Sequence, residues 1–265
     1  MPNIKKGYAD CSGGQIHFHK NVGDGTPIVF LHQTASSGKM FYKVMDRLPN
    51  VLGYAFDTPG FGNSFSPSDS PLLNKPSMPQ LGKWITEAID SIGIDEFHIV
   101  GHHTGTCIAL EVYDLISDRI KSCTMIGPVP LTEDERNEFR NAYSSPFSPD
   151  KNGDYIKITW DYLAGLGTKS DLQLHHREFI DTCRAYLGRA QTYSAVWDQD
   201  FVALYEKMEC PLLLMAAPDD VLYPYLDRAH KMKPGSIVKP VEGANFEPDH
   251  DPDATAAAIK SFLNI

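Results

Sequence analysis

The amino-acid sequence predicts an α/β fold in which a mostly parallel sheet is covered by helices on both faces. The first observation is a series of short apolar runs, such as Ile28–Leu31 and Leu212–Ala217. Strands that are apolar along their whole length are typical of parallel sheets, because helices bury both faces. The second observation is that helical stretches separate these runs, as in repeated β-α-β units. The third is a long, strand-free segment near the middle of the chain.

The predicted strands follow one another with turn signals between them. The first is part of a hairpin, since Gln15–Lys20 alternates apolar and polar residues and follows Gly13-Gly14. Four apolar runs predict buried strands: Pro27–His32, Val51–Asp57, Phe97–Gly101 and Leu212–Ala217.

Helical periodicity appears between the predicted strands. Two apolar stripes recur every three or four residues, which predicts two amphipathic helices. Asp251 and Pro252 open a last helix as N-cap and first helical residue. The first stripe is Leu81, Ile85, Ala88, Ile89 and Ile92, closed by Gly93, and the second is Ile108, Val112, Leu115 and Ile116.

One segment, from about Val129 to Asp200, interrupts the alternation of strands and helices. It is polar, rich in aromatic residues and without a clear strand, and it is too long to be a loop. We expect a helical insertion that covers one end of the sheet. The predicted organisation is therefore a core of residues 1–128 and 207–265 with a helical cap at 129–206. Its aromatic residues include Trp160, Tyr162, Tyr186, Tyr193 and Trp197.

Charge and composition exclude several classes of partner. The 265 residues include 24 Lys+Arg and 34 Asp+Glu, a net charge of −10. This balance argues against nucleic acid or an anionic membrane surface as partner, and the apolar runs are too short for a membrane helix. No signal peptide is recognised, and five scattered cysteines favour reduced thiols in a cytoplasmic protein. The predicted partner is a small molecule; the oligomeric state is left open.

The stretch with the clearest chemical signal is Gly101-His102-His103-Thr104-Gly105, directly after a predicted strand. Flanking glycines permit a sharp, crowded turn that holds the middle side chain out at the strand end. The spacing matches the nucleophile elbow G-x-S-x-G, with His103 in place of the serine.

At this elbow the chain resembles the α/β-hydrolase superfamily, and the similarity continues in register over nearly the whole chain outside the insertion. The resemblance implies a mostly parallel eight-stranded α/β-hydrolase sheet with a helical cap insertion after the sixth strand. Four further segments carry it: His32-Gln33-Thr34 at the oxyanion loop, Asp57–Ser64 as the D-x-P-G-x-G-x-S turn, Asp220-x-x-x-Pro224 at the acid position, and Gly243-Ala244-Asn245 ahead of Pro252 at the histidine loop.

The departures from the family pattern determine the predicted chemistry. His103 stands at the nucleophile position, Asn245 at the general-base position and Gln33 at a usual glycine, so only Asp220 of the Ser-His-acid set is retained. A serine hydrolase needs a hydroxyl and a base within hydrogen-bond reach. We therefore expect His103 to point into the space of the missing base, with Asp220 and Asn245 orienting its ring.

The predicted function is a cofactor-free enzyme that acts on a small carbonyl compound, by hydrolysis or by lyase-type carbon–carbon or elimination chemistry. His103 would be the general base, or less readily a covalent nucleophile. The oxyanion N–H groups would be the backbone N–H of Thr104 and that of either Gln33 or Thr34. His32, in the same loop, is a further candidate for this oxyanion and substrate-binding set.

Two alternatives and several secondary candidates stay open at this stage. In the first alternative, the protein is a small-molecule binding protein without catalytic activity. In the second, it is a conventional esterase in which His250 serves as a displaced base. A metal site from His32, His102 and His103 is considered but not expected, because adjacent histidines chelate one ion poorly. His102 is expected to be structural, on the argument that neighbouring side chains point apart. Trp160 and Trp197 are secondary candidates for lining the cleft.

Overall fold

The described residues of the chain, 4–68, 75–143 and 147–265, form eight β-strands and eleven α-helices in this computed structural model. Residues 144–146 of the predicted insertion lie outside them. The strands are β1 (Lys5–Cys11), β2 (Gly14–Lys20), β3 (Asp24–Leu31), β4 (Val51–Phe56), β5 (Phe97–His102), β6 (Ile120–Ile126), β7 (Leu212–Met215) and β8 (Ile237–Val238). The helices are α1 (Tyr42–Asp46), α2 (Met78–Ser91), α3 (Thr104–Ile116), α4 (Glu133–Tyr143), α5 (Asp154–Gly165), α6 (Leu172–Arg184), α7 (Tyr186–Asp198), α8 (Phe201–Glu206), α9 (Leu226–Met232), α10 (Glu247–His250) and α11 (Pro252–Leu263).

The strands form one sheet in the order β1-β2-β4-β3-β5-β6-β7-β8. The β1–β2 and β2–β4 pairs are antiparallel, and every other neighbouring pair is parallel. The predicted hairpin is confirmed, since Cys11 pairs with Gly14 across its turn. The mostly parallel eight-stranded sheet predicted by the family resemblance is confirmed as well.

The central strands are apolar throughout because each of their faces is buried against helices. In β3, Ile28 and Phe30 pack in one core cluster with residues of α1 and α11. Val29 and Leu31 point the other way and pack with residues of α2 and α3. Full burial of such a side chain contributes about 1.5–3 kcal/mol, so both layers stabilise the elbow at the end of β5.

The helix ends follow the predicted capping residues. Asp251 accepts a hydrogen bond from the Ala254 backbone N at 3.2 Å, with Pro252 as the first residue of α11. Gly93 follows α2 with a φ of +71°, the left-handed conformation that closes many helices.

Helices α4 to α8 occupy the chain between β6 and β7, where the helical insertion was predicted. They are joined to the loop after β3 by buried hydrogen bonds, from Ser36 Oγ to Glu178 Oε1 at 2.9 Å and from Ser37 Oγ to Asp181 Oδ2 at 2.6 Å. The boundaries of a separate cap domain stay a prediction. No helix of the described part of the chain has both the length and the apolarity to span a membrane.

Asp57 anchors the turn after β4. Its buried carboxylate lies 2.8 Å from His17 Nδ1 and 3.2 Å from His19 Nε2, and it accepts hydrogen bonds from the backbone N of Gly38 and of Asn63. The two histidines share a face of β2 and would be expected at the surface, but both are buried. They face inward because their rings are the partners of this carboxylate.

Candidate active site

The elbow between β5 and α3 places His103 at the carboxyl edge of the sheet. The residue has φ 47° and ψ −110°, a strained backbone for a side chain with a Cβ. The flanking glycines are required by close contacts: a Cβ at Gly101 would lie 2.5 Å from the Gly105 carbonyl oxygen, and one at Gly105 would overlap the Leu31 carbonyl. The His103 backbone N also donates to the Ile126 carbonyl at 2.8 Å, which ties the elbow to β6.

The His103 side chain reaches directly to Asp220. Its Nε2 lies 2.7 Å from Asp220 Oδ2, and the carboxylate side chain is fully buried. The other carboxylate oxygen accepts a hydrogen bond from the Leu222 backbone N at 2.6 Å. In the family pattern a separate histidine lies between nucleophile and acid, whereas here one imidazole spans the distance.

The ring fits in this position because Gly127 has no side chain. A Cβ at Gly127 would lie 2.6 Å from His103 Nε2 and would overlap Cδ2, so that edge of the imidazole rests on a bare Cα. Gly127 has a φ of +61°, and its backbone N donates to the Met215 carbonyl at 2.8 Å. Gly127 was not predicted from the sequence, because strand β6, which it follows, was not recognised either.

The hydrogen bond to Asp220 fixes which ring nitrogen is basic. Burial raises the pKa of the Asp220 carboxyl, but the charge and hydrogen bond of His103 outweigh burial and lower this pKa to about 2. The carboxylate is therefore ionised at neutral pH and only accepts, so Nε2 of a neutral His103 carries the proton. Nδ1, on the ring side turned away from Gly127, keeps the lone pair and has no hydrogen-bond partner among the residues described.

His102 does not point away from His103, contrary to the expectation from the sequence. The two rings are stacked, with centroids 4.3 Å apart and an interplanar angle of 6°. His102 is fully buried, and its Nε2 lies 2.8 Å from Glu247 Oε2. Burial and the neighbouring His103 charge hold the pKa of His102 well below its ordinary value, so the ring is neutral and packs as a support for His103.

Asp220 and Glu247 are two neighbouring buried carboxyls with opposite pKa shifts. Burial and the nearby Asp220 charge raise the pKa of Glu247 well above its ordinary value. Together with His102 and His103 they form a cluster whose polar atoms lie within 4.8 Å of one another. Two imidazoles and two carboxyls are a donor set that a divalent metal accepts, but a metal would have to replace the two direct histidine–carboxyl contacts. The expected absence of a metal stays a prediction.

The predicted oxyanion loop lies beside the elbow. The Thr34 backbone N donates to Thr104 Oγ1 at 3.4 Å, a long bond that a substrate oxygen would replace. The Thr104 backbone N begins α3 and points from the helix N-terminus, where a developing negative charge is stabilised. Gln33 lines the same cavity, but its side-chain amide donates to the Asn245 carbonyl at 2.8 Å. The pair Thr104 and Thr34 is thus the better placed of the two predicted combinations.

Asn245 does not orient the His103 ring as predicted. Its side-chain oxygen accepts a hydrogen bond from the Val221 backbone N at 3.2 Å, and its side-chain nitrogen donates to the Leu166 carbonyl at 3.1 Å. Both polar atoms of this short side chain are therefore already hydrogen-bonded to backbone groups. Asn245 instead links the acid loop to the inserted helices and contributes to the cavity wall.

Three other candidates lie away from the reacting edge of His103. His32 is buried, with Nδ1 2.7 Å from the Gln33 carbonyl, while its Nε2 accepts from the Thr58 backbone N. It therefore holds the loop together, and among the described residues it is part of neither the cavity wall nor the metal-donor cluster. Its role in substrate binding stays a prediction. His250 Nε2 lies 3.1 Å from the Gly167 carbonyl. This position gives no geometric support to His250 as a displaced base. Trp160 packs on His175 and Phe179 in the insertion, outside the cavity.

The remaining candidate, Trp197, lines the cavity that opens next to His103. Most of this cavity wall is apolar or aromatic, and α4 to α7 supply much of it. Arg189 and Glu178 also contribute to the wall; neither was predicted, because nothing in their sequence neighbourhood distinguishes them from surface residues of a helix. The apolar and aromatic part of the lining consists of Ala35, Val129, Phe139, Tyr143, Tyr162, Leu163, Leu166, Tyr193, Val196, Trp197, Val221, Leu222 and Phe246.

Comparison with known proteins agrees with this architecture. A family model described as the alpha/beta hydrolase fold matches residues 26–153. The chain is 25% identical over 123 residues to the dihydrolipoyllysine-residue acetyltransferase component of the acetoin cleaving system of Cupriavidus necator, covering 46% of this chain and 32% of that protein. It is 28% identical over 143 residues to the proline iminopeptidase of Heyndrickxia coagulans, covering 49% and 46%. The match thus spans less than half the length of these curated relatives.

Structural similarity extends over the whole chain. A hydrolase from Pseudomonas aeruginosa PA01 superposes with a TM-score of 0.81 at 16% identity, covering 99% of each chain. At that identity the likeness concerns the fold. With the match of the family model to residues 26–153 and the observed sheet order, it shows that this chain has the α/β-hydrolase fold.

Proposed function

We propose that the protein is a cofactor-free enzyme that acts on a small carbonyl compound, with His103 as general base in place of a serine nucleophile. The observation that carries the proposal is the 2.7 Å contact between His103 Nε2 and Asp220, which leaves Nδ1 as the basic nitrogen at the cavity. The hydrolase and peptidase names of similar proteins support an enzyme of the hydrolase class.

In a hydrolytic reaction, His103 Nδ1 removes a proton from water as the water oxygen attacks the substrate carbonyl. The backbone N–H groups of Thr104 and Thr34 stabilise the resulting oxyanion. Collapse of this intermediate expels the leaving group, which takes the proton back from Nδ1. Asp220 keeps the ring in the correct tautomer and stabilises its protonated form, as the acid of a catalytic triad does.

The same groups also support lyase-type chemistry. Nδ1 removes a proton from the carbon next to a carbonyl, and the electron pair moves to the carbonyl oxygen between the same two N–H groups. The enolate then expels a leaving group from the adjacent carbon, and the proton on Nδ1 passes to that group. Neither route needs a covalent enzyme intermediate.

The test is a turnover screen of esters, lactones, thioesters and 1,3-diketones with wild-type protein, followed by variants. His103→Gln should lower turnover by about 10²–10⁴-fold, the usual contribution of a positioned base. His250→Ala, which alters a histidine outside the cavity, serves as the matched control and should keep wild-type rates. A chelator should leave the rate unchanged. Equal losses in both variants, or no turnover in a broad screen, would contradict the proposal, and the latter would favour a binding protein.

A further inference from the structure

We propose that the cavity beside His103 selects a small carbonyl substrate that carries a carboxylate, with Arg189, Trp197 and Thr34 holding its oxygen atoms. This inference rests on the proposed function, since it names the substrate class of the same site. The three residues meet around one side chain, Tyr193, which contacts each of them.

Arg189 brings a positive charge to an aromatic part of the cavity wall. The residue is only 2% exposed, and its guanidinium carbon lies 4.1 Å from the Phe147 ring centre, 5.1 Å from that of Tyr162 and 5.0 Å from that of Tyr193. Aromatic faces attract the cation, while its planar fork of N–H donors matches the two oxygens of a carboxylate. In such low-polarity surroundings an anion is favoured over a neutral group of the same shape.

Trp197 supplies a donor that lacks an acceptor. It is 5% exposed and lines the cavity, and its indole N–H has no hydrogen-bond partner within the described ranges. Because an indole N–H only donates, the missing partner is an acceptor such as a carboxylate oxygen. A buried donor without a partner costs free energy, which an oxygen-bearing ligand would recover.

Thr34 connects this corner to the reacting edge. Its hydroxyl oxygen is buried and is likewise without a partner in the part of the chain that the structure describes. The Thr34 carbonyl accepts a hydrogen bond from Tyr193 Oη at 3.2 Å, and the Tyr193 ring is stacked on Trp197 with centroids 5.7 Å apart. Since Thr34 also provides an oxyanion N–H, a carboxylate in this corner lies close to a carbonyl placed beside His103.

The acidic residue of the wall does not oppose this assignment. Glu178 Oε1 accepts hydrogen bonds from the Arg177 guanidinium and from Ser36 Oγ. Arg177 shares its charge between Glu178 and Asp249, and burial also raises the pKa of Glu178, which weakens its tendency to carry a negative charge. Because most of the remaining lining is apolar or aromatic, the expected substrate has a flat apolar body, a carbonyl and a nearby carboxylate.

The experiment compares two matched 1,3-dicarbonyl probes by calorimetric titration: 2,4-dioxo-4-phenylbutanoate, which carries a carboxylate, and 1-phenyl-1,3-butanedione, which has a methyl group there. Wild-type protein should bind the acid about tenfold more tightly or better. Arg189→Met should abolish this preference and Trp197→Phe should weaken binding of the acid several-fold. The controls are Arg184→Met on α6 and Trp160→Phe on α5, two residues of the inserted helices that are not part of the cavity wall.

Equal affinity of the two probes for the wild-type protein would overturn the inference, as would an undiminished preference in Arg189→Met. If Arg189→Met does not fold, the wild-type comparison and Trp197→Phe decide the question. Titrations in His103→Gln separate this inference from the proposed function. If wild-type protein prefers the acid but shows no turnover, the carboxylate subsite is supported and the catalytic role of His103 is contradicted. If it shows turnover but no preference, the catalytic role is supported and the subsite is contradicted.

Discussion

The imidazole of His103 rests on the bare Cα of Gly127, and this contact holds its Nε2 against Asp220. His103 directly follows strand β5 and Gly127 directly follows strand β6, and these two strands lie side by side in the sheet. A side chain at position 127 would therefore collide with the His103 ring in its observed position.

Gly127→Ala should displace the His103 ring from Asp220, because the added methyl group would occupy the space of Cδ2 and Nε2. We expect turnover to fall by about 10²–10⁴-fold, as for loss of the base. Gly93→Ala is the matched control, since Gly93 has a similar φ of +71° but open space around a Cβ. Steady-state rates and circular dichroism compare the two. A Gly127→Ala protein that is folded and as active as Gly93→Ala would show that the contact is unimportant.

Asp220→Asn should reduce turnover strongly while the fold is kept. An amide in this place no longer selects the tautomer with the proton on Nε2 and no longer stabilises a protonated ring. The expected loss is about 10⁴-fold, by analogy with an asparagine at a triad acid. Rates and the pH profile of kcat/KM measure it. Asp219→Asn is the neighbouring control, since Asp219 contacts the Ala244 backbone rather than His103.

Asp220 should also contribute to the pH dependence of stability. Its pKa of about 2 lies below the ordinary value for aspartate, so the folded protein favours the ionised form. The stabilisation is complete above the ordinary pKa and is lost as the pH falls through about 2; a shift of this size corresponds to about 2 kcal/mol. Urea unfolding between pH 5 and pH 2 measures it, and Asp220→Asn should lack this component. Parallel curves for the two proteins would contradict the assignment.

Fluorophosphonates should not label the protein. These probes react with activated serines, and the elbow carries His103 where a serine would stand. Intact mass after incubation is expected to show no adduct. Stoichiometric labelling of any serine would instead support the conventional-esterase alternative.

His103→Ser combined with Asn245→His should create some ester hydrolysis, whereas His103→Ser alone should not. The single change frees Asp220 but leaves the hydroxyl without a base. The side chain of residue 245 contacts the backbone of Val221, next in sequence to the acid, so a histidine there is expected to reach Asp220 once His103 no longer occupies it. Hydrolysis of p-nitrophenyl acetate by wild type, both single variants and the double variant tests this. No gain in a folded double variant would mean that position 245 cannot hold the base.

The local signals in the sequence determined the sheet core, the elbow and the acid. Apolar runs, helical stripes and capping residues act over a few residues, so β3, β4, β5, α2 and α11 could be predicted with nearly their observed ends. Strand β6 was not, because Lys121, Ser122 and Thr124 interrupt its apolar pattern. The resemblance to the family pattern located His103 and Asp220, and the length of the imidazole side chain indicated that His103 could extend toward the acid.

Only the tertiary structure decided which other side chains take part. Asn245 and His250 are near in sequence to the family's base position, yet backbone carbonyls of the inserted helices and their loops bind both. Gly127 contacts His103, and Glu247 contacts His102, although the members of each pair are far apart in the sequence, because their segments meet at one edge of the sheet. A sequence pattern records what a residue does for its own helix or strand, whereas contacts between segments depend on how those elements pack.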